Sequence, residues 1–83
     1  MDHFNEYDVV RVIQLDRTNR HYDGTDSVKR PPQIDDLGTI VHIAPGSPGK
    51  NSWYIVECVD KKGLTVWLAD FTEDELELVE AVK

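Results

Sequence analysis

The stretch LTVWLADFTEDELELVEAV, residues 64–82, decides the fold. Its first part, Leu64–Ala69, is rich in β-branched and aromatic residues and is predicted to form a strand. Thr72 is followed three residues later by Glu75, which is the spacing of a capping box, so a short helical turn is expected to start there. ELVEAV can then close as a last strand. The stretch therefore predicts a strand, one helical turn and a final strand, in that order.

Three further strands are predicted upstream of this stretch. They are rich in valine and isoleucine and are separated by turn-forming residues; they cover Tyr7–Leu15, Gly38–Ile43 and Trp53–Val59. In the first strand, Val10 and Val12 are expected on one face. The connection from Ala44 to Ser52 contains two prolines and two glycines, and Gly63 is expected to supply a positive φ in the turn after the third strand.

Five short antiparallel strands with one long first loop predict an all-β protein. We expect a small five-stranded SH3-like barrel with one short helical turn before the last strand. An OB-like barrel is the alternative, although that fold usually has longer strands and a fuller helix. A single domain is expected over residues 1–83, with the barrel at about residues 7–80 and the polar loop at residues 16–37.

The charge is negative and unevenly distributed. Nine Lys and Arg against sixteen Asp and Glu give a formal net charge of −7, which disfavours nucleic acid as a partner because affinity for phosphates depends on Lys and Arg. The long loop is the exception, since it holds four of the positive charges. No signal peptide or membrane helix is recognised, and the single cysteine, Cys58, is consistent with a reducing compartment. We therefore expect a cytoplasmic protein with no membrane contact.

Four blocks carry a family resemblance: YDVVRV, a loop ending in RPP before GTIVHI, WYIVECV, and VWLADFTEDELELV. Their order resembles the SH3-like barrel at the C-terminal end of the nitrile hydratase beta subunit. It is also similar to short bacterial proteins that consist of little more than this barrel. In nitrile hydratase the metal ligands belong to the alpha subunit, and the beta-subunit barrel serves subunit contact. The resemblance therefore implies an accessory or interaction role without nitrile hydration.

No combination of residues predicts catalysis. His3, His21 and His42 lie far apart in sequence without metal-ligand spacing, so no metal or cofactor is expected. Cys58 alternates with Tyr54 and Val56, and we interpret it as a buried thiol rather than a nucleophile. The acidic run after Asp70 is explained by helix capping and surface charge rather than acid–base chemistry. The protein is therefore not expected to be an enzyme.

The predicted partner-binding residues lie in the long loop and at two tryptophans. The loop candidates combine positive charge with one aromatic ring: Arg17, Arg20, Tyr22, Lys29 and Arg30. Trp53 and Trp67 are out of phase with the apolar residues of their strands, so both could face outward as contact residues. Two alternatives stay open, because the loop could fold back over the tryptophans or could be a solvated connection without a partner.

Three classes of function are compatible with these observations. We expect a small non-catalytic protein-interaction or accessory module whose partner is another protein or a second copy of this chain. A nucleic-acid-binding SH3-like module is the first alternative, and the net charge disfavours it. A self-associating small-ligand binder is the second alternative.

Overall fold

The computed structural model describes residues 4–46, 48–49 and 52–82. Within them the chain forms five strands: β1 at Val9–Val12, β2 at Leu37–Ala44, β3 at Trp53–Val59, β4 at Thr65–Phe71 and β5 at Leu76–Glu80, with a 3₁₀ turn at Glu73–Glu75 before β5. Part of the predicted connection between the second and third strands, and His3, lie outside the described residues.

The strands form one antiparallel sheet in the order β4-β3-β2-β1-β5. Together with the 3₁₀ turn before the last strand, this confirms the predicted all-β architecture of five antiparallel strands with one short helical turn before the last. The sheet is not closed, because among the described residues β4 and β5 are its two edges and do not pair. None of the helical segments in the described part of the chain is long and apolar enough to cross a membrane.

The core lies on one face of the sheet. Its members are mostly valines and aromatic rings from every strand, and the largest fully buried ones are Trp67, Tyr54, Phe71, Ile40, Val10, Val12 and Val56. Burial of such side chains stabilises the fold by roughly 1.5–3 kcal/mol each. Val10 and Val12 share one face of β1, as predicted, and this face is the buried one.

β1 is shorter than the predicted strand Tyr7–Leu15. Tyr7 has a φ of 74°, outside the extended region, and lies in a turn in which the Asp8 N–H donates to the Asn5 carbonyl at 3.1 Å. At the other end, the pairing of β1 with β5 stops at Val12, because beyond that point the facing residues belong to the 3₁₀ turn that precedes β5. Local turn geometry therefore limits β1 to four residues.

In β4, the face that packs on the core is opposite to the face that the sequence predicts. Its register pairs Cys58 with Trp67 and Tyr54 with Phe71, and directly paired residues project to the same side of a sheet. Trp67 therefore faces the core and is completely buried. The prediction that Trp67 is an outward contact residue is wrong.

Two local turn predictions are confirmed. Gly63 has a φ of 83° in the turn between β3 and β4, a conformation that glycine adopts without steric cost. The capping box is also present, with the Glu75 Oε1 accepting from the Thr72 N–H at 2.9 Å.

Candidate partner-binding surfaces

The long loop lies along the free edge of β4. Asp23 and Leu68 exchange backbone hydrogen bonds of 3.0 and 2.8 Å, and the Thr25 N–H donates to the Thr65 carbonyl at 2.8 Å. Because edge strands expose unpaired backbone groups, a segment that bonds to them protects the edge. The predicted alternative of a solvated connection is therefore wrong for this part of the loop.

A glycine permits this close approach. A Cβ atom on Gly24 would lie 2.7 Å from the Val66 carbonyl oxygen and 2.7 Å from the Lys29 Cβ. Neither distance is compatible with a methyl group, so any larger residue at position 24 would push the loop away from β4.

Arg20, a predicted partner-binding residue, is buried in an internal ion pair. Its side chain is 4% exposed and its Nη2 donates to the fully buried Glu75. The Asp16 N–H also donates to Glu75 at 2.8 Å, so the carboxylate joins the loop to the 3₁₀ turn. The Arg20 guanidinium carbon lies 4.3 Å from the Phe71 ring centroid. Arg20 is therefore not available to a partner in this conformation, which corrects the prediction.

The hydrogen bonds around Glu75 determine its protonation. Burial alone would raise the pKa of this carboxyl, but the hydrogen bonds from Thr72, Asp16 and Arg20, together with the charge of Arg20, hold the pKa below its ordinary value of 4.5. Glu75 therefore stays charged, and the ion pair with Arg20 persists, at neutral pH.

Asp36 forms a second internal anchor at the other end of the loop. It accepts a bidentate pair from the Arg30 Nη1 and Nη2 at 2.8 and 3.0 Å, and the Trp67 Nε1–H donates to it at 2.9 Å. Burial would raise the pKa of Asp36, but the hydrogen bonds from Arg30, Gln33 and Trp67 outweigh it and lower the pKa. Arg30 and Trp67, both predicted to bind a partner, are thus joined to each other through one carboxylate.

Arg17 covers Trp53 from the outside. Its guanidinium carbon lies 4.9 Å from the Trp53 ring centroid, and its Nη2 donates to the Asp70 carbonyl at 2.6 Å and to the Asp70 Oδ1 at 3.2 Å. Trp53 is half-buried. The expectation that it points away from the core is confirmed, and so is the alternative that the loop covers it.

Tyr22 and Lys29 complete the predicted set. Tyr22 is half-buried and packs against the core. Lys29 lies 3.5 Å from Asp26, and 47% of its side chain is exposed, the largest exposed fraction among the four loop cations. Lys29 is thus the loop cation best placed to contact a partner.

A surface that the sequence predictions missed lies at the opposite edge of the sheet. We call it the β5 surface and define it by Tyr7, Glu77, Leu78, Val79, Glu80 and Val82, all of which are exposed. Tyr7 is 62% exposed and Leu78 is 45% exposed. A groove of about 280 Å³ at this edge is lined by Tyr7, Val9, Glu80, Ala81 and Val82. The alternation of acidic and aliphatic residues in ELELVEAV was the available signal for it.

Asp8 holds the β5 surface together. Its buried carboxylate accepts from the Asn5 N–H and from the Val82 N–H, each at 2.8 Å, and so ties the Tyr7 turn to the end of the chain that follows β5. The positive φ of Tyr7 is strained for an aromatic residue, and such strain persists only where surrounding contacts impose it. The strained turn holds an exposed aromatic ring beside the groove.

Cys58 is buried, as predicted for a structural thiol. Burial raises the pKa of this thiol, and the nearby Asp36 charge raises it further. A thiol with a raised pKa remains protonated at neutral pH and is a weak nucleophile. Across residues 4–46, 48–49 and 52–82, no group of three or more His, Cys, Asp or Glu side chains is placed to hold a metal ion.

Comparison of this chain with protein-family models, curated proteins and solved structures found no match. The described residues form a small all-β domain of five antiparallel strands, with an anchored first loop at the β4 edge and no strand paired at the β5 edge. The resemblance to the nitrile hydratase beta subunit stays a prediction.

Proposed function

We propose that the protein is a small non-catalytic protein-interaction or accessory module that contacts its partner through the β5 surface. The observation that carries this proposal is the exposure of Tyr7, Leu78, Val79 and Val82 on and beside β5, an edge strand that pairs only with β1 among the described residues. Adjacent exposed apolar residues with a polar rim are typical of protein-interaction sites, and tyrosine is enriched among the residues that dominate binding energy.

The contacts of the loop favour this surface over the loop as the main binding site. Arg17, Arg20 and Arg30 each have an acidic partner within the chain, so binding an acidic protein would require breaking those pairs. The β5 surface needs no such rearrangement. An interface that is already formed binds at a lower free-energy cost.

Size disfavours the small-ligand alternative. The groove beside β5 has a volume of about 280 Å³, and a second groove, lined by residues that include His21, Ile55 and Leu68, has a volume of about 190 Å³. Small-molecule sites usually enclose about 300–1,000 Å³. The net charge of −7 continues to disfavour nucleic acid. A cytoplasmic location belongs to the same proposal, since a single unpaired cysteine suits a reducing compartment.

The test is a pull-down from lysate of the native host, with and without nuclease, followed by mass spectrometry. We expect a stoichiometric, nuclease-resistant protein partner. The variant Tyr7→Ala/Val82→Ser should reduce its recovery, whereas Lys29→Ala on the loop should not. Recovery of the bait alone, or of proteins that disappear with nuclease, would contradict the proposal.

Charge reversal at Arg20 or Arg30 is not informative in this experiment. A glutamate at position 20 would lie against the buried Glu75, and one at position 30 would lie against Asp36. Both variants would lose the anchoring of the loop, so a lost complex would not show that the arginine contacts a partner.

A further inference from the structure

We propose that the free edge of β5 binds an extended basic peptide, with Lys or Arg alternating with aliphatic residues, as a sixth strand of the sheet. This inference rests on the proposed function and names the chemistry of the partner. Three features of β5 carry it: the direction of its unpaired backbone groups, the different character of its two faces, and its charge.

The first feature is the direction of the backbone groups. The Ile13 N–H donates to the Glu75 carbonyl at 2.9 Å, while the Val12 N–H donates to Asp36, away from β5. Paired residues in an antiparallel ladder alternate between bonded and non-bonded. Val12 is therefore in a non-bonded pair with β5, and so is Val10, two positions away, which is paired with Leu78. Leu78 thus directs its N–H and carbonyl away from β1. These groups are the ones that an added strand would bond.

The second feature is the difference between the two faces. Leu78 is paired with the buried Val10, so it lies on the core side, yet it is 45% exposed because β4 does not close the sheet there. Glu77 is paired with Arg11 and lies on the outer side. Since side chains alternate along a strand, a peptide beside β5 would place every second residue near Leu78 and the others near Glu77.

The third feature is charge. The acidic residues of β5, Glu77 and Glu80, are both exposed, and opposite charges on neighbouring strands stabilise pairing. A second copy of the chain would bring its own Glu77 and Glu80 to the same edge, with a net charge of −7 on each protomer. A basic segment has the complementary charge and is the occupant that fits.

The binding probe is a synthetic heptapeptide, Lys-Val-Lys-Ile-Lys-Val-Lys, with both ends blocked. Its control has the same composition in the order Lys-Lys-Lys-Lys-Val-Ile-Val, so the charge is identical and only the alternation differs. Titration into ¹⁵N-labelled protein gives both the affinity and the residues that respond. We expect the alternating peptide to bind about tenfold more tightly, with shifts concentrated at residues 76–80 and slower exchange of the Leu78 amide proton.

Two variants and one matched control test the mechanism. Glu77→Lys/Glu80→Lys should weaken binding by about tenfold or more. Asp23→Lys/Asp26→Lys makes the same change in net charge on loop side chains that are 75% and 99% exposed, and should have a much smaller effect. Leu78→Pro removes the outward N–H and should abolish binding while the β1–β5 pairing is retained. If that variant does not fold, the charge variants and the shift map still test the proposal.

Equal affinity of the two peptides would overturn the proposal, since charge alone would then explain binding. Shifts centred on residues 17–30, concentration-dependent dimerisation through β5, or no binding at millimolar peptide would also overturn it. The proposed function is tested separately. If Glu77→Lys/Glu80→Lys retains the lysate partner, the interaction module stands and the basic-strand inference fails. Loss of that partner only in the edge variants agrees with both.

Discussion

The two edges of this open sheet differ in whether another segment of the chain covers them. The edge of β4 is bonded by Asp23 and Thr25 of the long loop, and the loop is held there by two arginine–carboxylate anchors. The edge of β5 has exposed leucine, valine and glutamate side chains, and within the described part of the chain no strand lies beside it. The difference teaches that a long polar loop can serve as part of the scaffold, while a short strand without distinctive residues presents the surface that we propose for partner binding.

The contacts made by the charged residues of the loop explain why the loop is so polar. Its charged residues are used as internal anchors at both ends, with Arg20 on Glu75 and Arg30 on Asp36. The Arg20–Glu75 pair is buried, and a buried ion pair is costly to break from one side only. It joins the loop to the 3₁₀ turn that follows β4, while Arg30 holds Asp36 where that carboxylate accepts from Trp67 of β4.

The largest expected effect comes from breaking the Arg20 anchor on the covered edge. Glu75→Gln leaves the Arg20 charge buried without its partner, and should lower the free energy of unfolding by about 3–5 kcal/mol. Urea denaturation measures this change. Glu80→Gln on the bare edge is the control and should not move the midpoint. The double variant Arg20→Met/Glu75→Gln should recover part of the loss, and equal midpoints for Glu75→Gln and Glu80→Gln would contradict the assignment.

Acid should weaken both anchors of the covered edge together. The pKa values of Glu75 and Asp36 are below their ordinary values of 4.5 and 3.8, so the native state binds fewer protons than the unfolded state at these groups. Their contribution is present above those ordinary values and is lost as pH falls through the lower native ones. NMR spectra from pH 7 to pH 2 should show the Trp67 indole N–H changing as Asp36 protonates. An unchanged indole signal down to pH 2 would contradict this anchor.

A smaller effect is expected from separating the loop and β4 without changing charge. Gly24→Ala introduces a methyl group 2.7 Å from the Val66 carbonyl and should destabilise the protein by about 1–3 kcal/mol. Ser27→Ala, at an exposed loop position, is the matched control. Amide exchange at Thr25 and Leu68 should accelerate only in the glycine variant. No change in either variant would show that the loop does not pack against β4.

The smallest effect is expected at the bare edge, from relief of backbone strain. Tyr7→Gly removes the cost of a positive φ and should stabilise the fold by about 1 kcal/mol relative to Tyr7→Ala, which keeps that cost. Thermal unfolding of the two variants measures the difference. Both should weaken partner binding, because both lack the ring. Equal stability of the two variants would mean that Tyr7 is not strained in solution.

Local sequence signals were sufficient for much of the fold. The strand Trp53–Val59, the Thr72 capping box and the positive φ of Gly63 each depend on residues close in sequence, and all three are confirmed. These features follow from side-chain branching, capping and steric freedom.

The site could not be predicted because it depends on contacts between distant residues. Nothing near Arg20 in the sequence shows that it is buried against Glu75, 55 positions away. The buried face of β4 was also ambiguous, because Val66 and Trp67 are adjacent and both are buried. The Arg30 N–H donates to the Val66 carbonyl, so the loop covers β4 there, while the pairing with Cys58 places Trp67 in the core. Alternation alone could not separate these two kinds of burial.

The most direct test of the contrast between the two edges is native-state amide hydrogen exchange, resolved by residue. The loop amides of Asp23 and Thr25, and the β4 amide of Leu68, should exchange slowly and together, as parts of one hydrogen-bonded edge. The amide of Leu78 should exchange rapidly, and should become protected when the alternating basic peptide is added. Exchange of the Asp23 and Thr25 amides at the rate of an unstructured chain, or protection of Leu78 in the free protein, would contradict the account.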